Sequence, residues 1–328
     1  MKKFSFTGMF FCILLLTFAG CAKKSEGIII GISKIQQHNA LDACELGIQD
    51  ALTERGIKAT YDLQNANGDM STVKQIADKF KSEHVNVAVG IATPTAQALV
   101  NSIKNIPVVF TAVVDPVGAG LVKSEANGEG NVTGASDRIP TEDNIILFKD
   151  IAGIKRLGFI YTPSESNSIT ELKIITRVAA ENGIELVTQT VNTSADVKQA
   201  AESIIQRIDG LYMSTDNTVV SALSAIVNVF KTAKKPVFSG DASGALVGGC
   251  MIAKGYNYYK LGLATGNIVA DILGGKSPAD IPVRFVTDPS ELDFLIDLDA
   301  AKNCGITIPQ SYIDQATMIF ENGVLTEK

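Results

Sequence analysis

The chain has 328 residues, 46% of them hydrophobic, with 29 basic against 35 acidic side chains and a formal net charge of −6. That apolar content excludes a disordered chain, and the length favours two domains over one. The acidic balance argues against nucleic acid as a partner, because such binding depends on basic neutralisation.

Residues 1–20 read as a signal peptide: Lys2 and Lys3 precede the apolar run Met9–Ala19, which is too short to span a bilayer and suits a signal h-region. Small residues just before Cys21 resemble a bacterial lipobox, in which Cys21 becomes the lipidated first residue and 21–27 a polar tether. An ordinary cleaved signal with an incidental cysteine is the blander alternative. Cleavage takes away two lysines, leaving 27 basic against 35 acidic residues and a mature charge of −8. Beyond Cys21 only Cys44, Cys250 and Cys304 remain, odd in number and widely spaced, so buried free thiols are expected rather than disulfides or zinc.

From Gly27, GIIIGIS reads as a strand, and Asn39 can cap a helix 40–55 stopped by Gly56. A strand 59–63 and a helix to about Lys81 capped by Ser71 follow. Val85–Ile91 is a β-branched run that gives way at once to a helix opening, with Thr93 as N-cap and Pro94 at the first helical position. After strand 107–111 and an extended connector 131–136, a second series is predicted: helix 141–152, strand 156–161, helix 169–182, strand 185–190, helix 194–206, strand 210–213, helix 219–231 and strand 236–239. Helix 257–273, strand 281–285 and a helix around 298–304 exceed what the second series needs, so the chain is expected to cross between domains more than once. Alternating strands and helices imply an α/β fold of two similar halves built on parallel sheets.

Ligands in such sheets bind beyond the carboxyl ends of the strands. The polar loops there are 33–39, 93–95 and 114–116 in the first half and 162–168, 214–217 and 240–243 in the second. The helix start at Thr93–Thr95 offers free N–H groups and a positive dipole end to a carboxylate. Asp216 and Asp241 could face an ammonium, which together describes a zwitterion such as an α-amino acid. Capping alone would equally explain Thr93, Asn39 and Ser71, an N-cap would explain Asp216, and an Asx-turn would explain Asp241. Asp115-Pro116 reads first as a turn. His38 and His84 are the only histidines, His84 in a charged surface stretch, and no GxSxG, P-loop, HExxH or metal-ligand spacing occurs. No enzyme, cofactor or metal site is indicated.

The order of a lipobox, IGISKIQQHNALDACELGIQDAL, GIATPTAQAL, PVVFTAVVDPVGAGLV, GNVTGASD, LGFIYTPSESNS, MSTDNTVVSAL, PVFSGDASG and GYNYYKLGLATGNIVADILGGKSPADIPV resembles ABC-transporter solute-binding lipoproteins, in particular the branch associated with tryptophan or tyrosine. The resemblance implies a type I periplasmic-binding-protein architecture of two Rossmann-like lobes with three hinge crossings, near 134–137, 254–256 and 283–285. Lobe 1 would be 28–136 plus 256–283, and lobe 2 would be 137–255 plus 284–328. It implies ligand contacts from Gln36, Gln37, Thr93, Pro94, Thr95, Asp115, Glu165, Asn167, Asp216, Asn217 and Asp241, of which Glu165 and Asn167 are added mainly by resemblance. An aromatic ligand needs a ring or apolar wall, and Tyr161, Phe110, Tyr212, Phe238 and Tyr256 are the rings on hand. The implied partners are ABC permease and ATPase subunits and the membrane through Cys21. The implied form is a monomer on the periplasmic or extracellular face of a bacterial cell envelope. A sugar or nucleoside as ligand, or a surface adhesin or sensor, are the alternatives on the same scaffold.

Overall fold

A computed structural model describes residues 27–285 and 288–328, so Cys21 and the leader lie outside the described residues. The first half runs β1 (Ile28–Lys34), α1 (Asn39–Glu54), β2 (Ala59–Asn65), α2 (Met70–Ser82), β3 (Val87–Ile91), α3 (Thr93–Ser102), β4 (Val108–Thr111) and β5 (Val132–Gly134). Its five strands form a parallel sheet in the order β2-β1-β3-β4-β5. β3 and β4 are buried at every residue, which is why their sequences are unbroken apolar runs rather than alternating ones.

The second half runs α4 (Thr141–Ala152), β6 (Arg156–Tyr161), α5 (Ser166–Glu181), β7 (Glu185–Thr190), α6 (Val197–Ile204), β8 (Gly210–Met213), α7 (Asn217–Ser221), α8 (Leu223–Ala233), β9 (Val237–Ser239) and β10 (Ile252–Tyr256). The chain then returns to the first half as α9 (Tyr258–Leu273), which lies along α1. Glycines permit that close crossing: a Cβ on Gly47 would sit 2.3 Å from the Tyr259 carbonyl oxygen, and one on Gly262 would sit 2.3 Å from that of Cys44. β11 (Leu292–Asp297), α10 (Leu298–Cys304), α11 (Gln310–Gln315), β12 (Met318–Glu321) and β13 (Val324–Glu327) complete the second half. Its eight strands are ordered β13-β12-β11-β10-β9-β8-β6-β7.

Three connections therefore join the halves, and the third runs beside the first. Ser136 N–H donates to the Arg284 carbonyl at 2.8 Å, and Arg284 N–H donates to that of Gly134 at 2.9 Å. The stretch 281–285 makes only this bridge, not the strand its sequence suggested. β11 was not anticipated, and its antiparallel pairing with β10 breaks the all-parallel expectation, as does β13 against β12.

Several helix starts differ from the expected ones. α1 is preceded by His38 as N-cap with no side-chain cap, and Asn39 instead reaches the Ser243 carbonyl at 3.5 Å. Asp69, not Ser71, caps α2 by accepting from Thr72 N–H, and the Ser71 hydroxyl donates to the same carboxylate. α5 begins at Ser166 rather than 169, and the single helix expected over 219–231 starts at Asn217 and breaks at Ala222. Cys44 and Cys250 are buried free thiols as expected, whereas Cys304 is half-buried.

Candidate ligand cleft

The turn between β3 and α3 takes a conformation few side chains adopt. Ala92 has φ 80° and ψ 156°, and Ala112, at the end of the neighbouring β4, has φ 54°. Ala92 is the N-cap of α3 and Thr93 its first helical residue, which corrects the expected cap. The Thr95 hydroxyl donates to the Ile91 and Ala92 carbonyls at 2.7 and 2.9 Å, so it locks the turn. The Thr93 hydroxyl is buried and has no partner among the described residues. Pro94 has no N–H to give, but it fixes the first turn.

Two small cavities lie between the halves. One is lined on its polar side by His38, Asp137, Thr215, Asn217, Asp241 and Tyr258, and on its apolar side by Leu41, Ala112 and Val220. The other is bounded by Thr93, Asp115, Ala119, Ser166, Asn167 and Thr170. A larger open hollow of about 930 Å³ lies at the far end of the second sheet. Its acids are already engaged: Asp297 accepts from Gly249 and Ala300 N–H, and Asp299 from Asn322 and Gly323 N–H.

The residues singled out by sequence have unequal roles. Asp216 is wholly spent on structure, accepting from Thr162 N–H (2.6 Å), the Thr162 and Ser168 hydroxyls (3.0 and 2.7 Å) and Val219 N–H (2.9 Å) at the head of α7. Glu165 is similarly committed, to Asn217 N–H and Nδ2, Thr218 N–H and hydroxyl, and Asn167 Nδ2. Asn167 keeps a buried Oδ1 with no partner, and Asn217 Oδ1 lies 3.5 Å from His38 Nε2. Asp241 forms the Asx-turn its sequence allowed, Oδ1 accepting from Ser243 N–H and hydroxyl at 2.9 and 2.7 Å. Its Oδ2 has no hydrogen bond among the described residues, and the residue lines the first cavity. Asp115 is a turn former, accepting from Gly118 N–H at 2.8 Å. Gln36 Nε2 donates across the cleft to the Ser221 hydroxyl at 2.7 Å, while Gln37 is exposed and lines neither cavity.

None of Tyr161, Phe110, Tyr212, Phe238 and Tyr256 lines either cavity. Phe238 packs between Phe148 and Tyr212 in the core, and Tyr161 stacks on Phe159. The ring that does face the first cavity is Tyr258, which sequence reasoning passed over together with Asp137. Asp137 sits on the first connection between the halves, where no periodicity marks a residue as buried, and Tyr258 is the first residue of α9.

Electrostatically the cleft is acidic. Burial, with the neighbouring Asp216 charge second, pushes Glu165 up to about 7, and burial pushes Glu171 up to about 7 and Asp137 up to about 6. Burial also raises Asp216 and lowers His38, whose ring is kept neutral despite Asp241 nearby. Neither cavity is lined by a lysine or arginine.

Residues 29–319 match the family described as ABC transporter substrate binding protein. The chain belongs to that family. An ABC transporter substrate-binding protein works outside the cytoplasm, and among the described residues no helix is long and apolar enough to cross a membrane. A tyrosine-binding protein of Clostridioides difficile is 38% identical over 286 residues, 86% of this chain and 81% of the relative. A solved structure from Streptococcus pneumonia, an ABC domain in complex with L-Trp, is 31% identical with a TM-score of 0.85, covering 90% of this chain and all of that one. A ligand-free, open substrate-binding protein with adhesive properties from Clostridium difficile is 36% identical yet has a TM-score of only 0.64, covering 86% of this chain and 96% of that one. The substrate-binding protein described here is thus closer in shape to the ligand-bound relative than to the open one, although closer in sequence to the latter. Its fold is the type I periplasmic-binding-protein fold.

Proposed function

We propose that this protein binds an aromatic amino acid between its halves and hands it to a permease. The observation that carries this reading is the pairing of an unengaged Asp241 oxygen in one cavity with the unpartnered Thr93 hydroxyl and α3 start bordering the other. An α-ammonium beside Asp241 and an α-carboxylate beside Thr93 and the α3 start give partners to an unengaged carboxylate oxygen and a buried hydroxyl. The tyrosine and tryptophan named for its relatives support the aromatic side chain. Gln36, Asn167 and Asn217 complete the contacts, while Glu165 and Asp216 hold them in place. A neutral sugar or nucleoside would leave the acidic pole without a counter-charge.

In this reading, lobe 1 is 28–136 plus 256–283 and lobe 2 is 137–255 plus 284–328, and closure about the three connections buries the ligand. The protein is a monomer anchored through a lipid on Cys21, and it catalyses no reaction. An adhesive role stands second because of the adhesive properties of the Clostridium difficile relative. Neighbouring permease and ATPase genes favour transport, and their absence favours adhesion. Calorimetry of the purified protein against the twenty amino acids tests the reading: tyrosine or tryptophan should bind, and silence from all of them would overturn it.

A further inference from the structure

Asp137 lies on the first connection, between β5 and α4, and is 2% exposed. Its Oδ2 accepts from the Tyr258 hydroxyl at 2.7 Å, and its Oδ1 is wholly buried with no partner among the described residues. Tyr258 opens α9 immediately after the second connection, so this hydrogen bond ties two of the three connections together. Both residues line the small pocket that also holds Asp241. Two carboxylates therefore border one pocket, each with one oxygen unengaged among the described residues, and no lysine or arginine lines it.

We propose that Asp137 is a second anionic partner for the ligand ammonium, which bridges Asp137 on the connection to Asp241 in the second half and so couples ligand capture to closure. This rests on the amino-acid reading above and goes past it by assigning the connection a direct contact with ligand. A primary ammonium has three donors and can meet both carboxylates at once, whereas a hydroxyl has one. Tyr258 is a positioning residue: it fixes Asp137 through Oδ2 and leaves Oδ1 for the ligand.

Binding is then linked to protons. The titratable groups facing Asp137 are Tyr258 on α9, Asp241 after β9, Glu171 on α5 and Cys44 on α1, and His38 faces Asp241. Burial holds the Asp137 carboxyl up at about 6, and a bound ammonium favours its ionised form. Affinity should therefore decline as pH falls through that value. The Tyr258 hydrogen bond holds the Asp137 carboxyl down, so its removal should start the decline at higher pH.

The test is calorimetric titration of L-tyrosine and L-tryptophan into wild type, Asp137→Asn and Tyr258→Phe, at intervals from about pH 5 to about pH 8. Wild type should lose roughly tenfold in affinity toward the acid end. Asp137→Asn should weaken binding roughly 10–100-fold near neutrality and flatten the pH profile. Tyr258→Phe should shift the midpoint upward while leaving affinity at the alkaline end nearly unchanged, a readout available even if Asp137→Asn fails to fold. 3-(4-Hydroxyphenyl)propanoate, which keeps the ring and carboxylate but lacks the ammonium, should not bind. Tight amino-acid binding by a folded Asp137→Asn with the wild-type profile would overturn this proposal alone. Failure of wild type to bind any amino acid would overturn the amino-acid reading and this proposal together.

Discussion

β8 and β9 are neighbours in the second sheet, and each runs into a loop carrying one buried aspartate. Asp216, after β8, accepts four hydrogen bonds and caps α7, whereas Asp241, after β9, uses one oxygen on Ser243 and leaves the other toward a cavity. The same residue type at equivalent strand ends thus does two kinds of work. What separates them is the supply of donors: Thr162 and Ser168 converge on Asp216 from the β6–α5 loop, while no second element offers a donor to Asp241. Being buried and acidic does not mark a ligand contact.

Four measurements would break or sharpen that contrast. Asp216→Ala should be the most damaging, because it strands Thr162 N–H and two hydroxyls in the interior. We expect a loss of about 3 kcal/mol in urea unfolding. A loss below about 0.5 kcal/mol would show that those donors find other acceptors. Asp241→Asn keeps an acceptor for Ser243 but removes the charge. Stability should barely move while amino-acid affinity drops roughly 100-fold by calorimetry. Equal damage to fold and binding in both variants would erase the distinction.

Thr93→Val is nearly isosteric and removes only the unpartnered hydroxyl. Affinity should fall about fivefold with thermal stability unchanged or slightly raised. The smallest effect is expected from pH. Glu165 and Glu171 stand at about 7 in the fold against an ordinary value of 4.5, and Asp137 at about 6 against 3.8. Between the ordinary and raised values the folded state keeps protons that the unfolded chain has lost, so stability falls as pH rises through that window. His38 opposes this, since its lowered value makes the folded ring refuse a proton that the unfolded chain accepts below 6.5. With these carboxyls and the likewise raised Asp216 against one imidazole, the ligand-free protein should melt a few degrees higher near pH 5.5 than near pH 8. Glu165→Gln should reduce that difference.

Much of this was legible in the sequence. The strand-helix alternation, the parallel core strands and the loops at the strand ends follow from periodicity and turn residues, and Asp241 stands where strand-end reasoning put it. Other features depend on tertiary context that no local pattern carries. β11 pairs antiparallel because the chain leaves β10 for α9 in the first half and re-enters the second half from that side. Asp69 outcompetes Ser71 as a cap because its carboxylate can take both Thr72 N–H and the Ser71 hydroxyl. Asp137 and Tyr258 come together across 121 residues, one from a connection with no helical or strand period and the other from the first residue of α9.

Ala92 carries a consequence for attempts to improve the molecule. At φ 80° its methyl group makes the conformation of the β3–α3 turn cost on the order of 1–3 kcal/mol, which glycine would relieve. Ala92→Gly should raise the melting temperature and, by letting the turn wander, weaken ligand binding. Selection for thermal robustness alone would therefore favour a change that blunts the receptor, a conflict between durability and acuity lodged in a single methyl group.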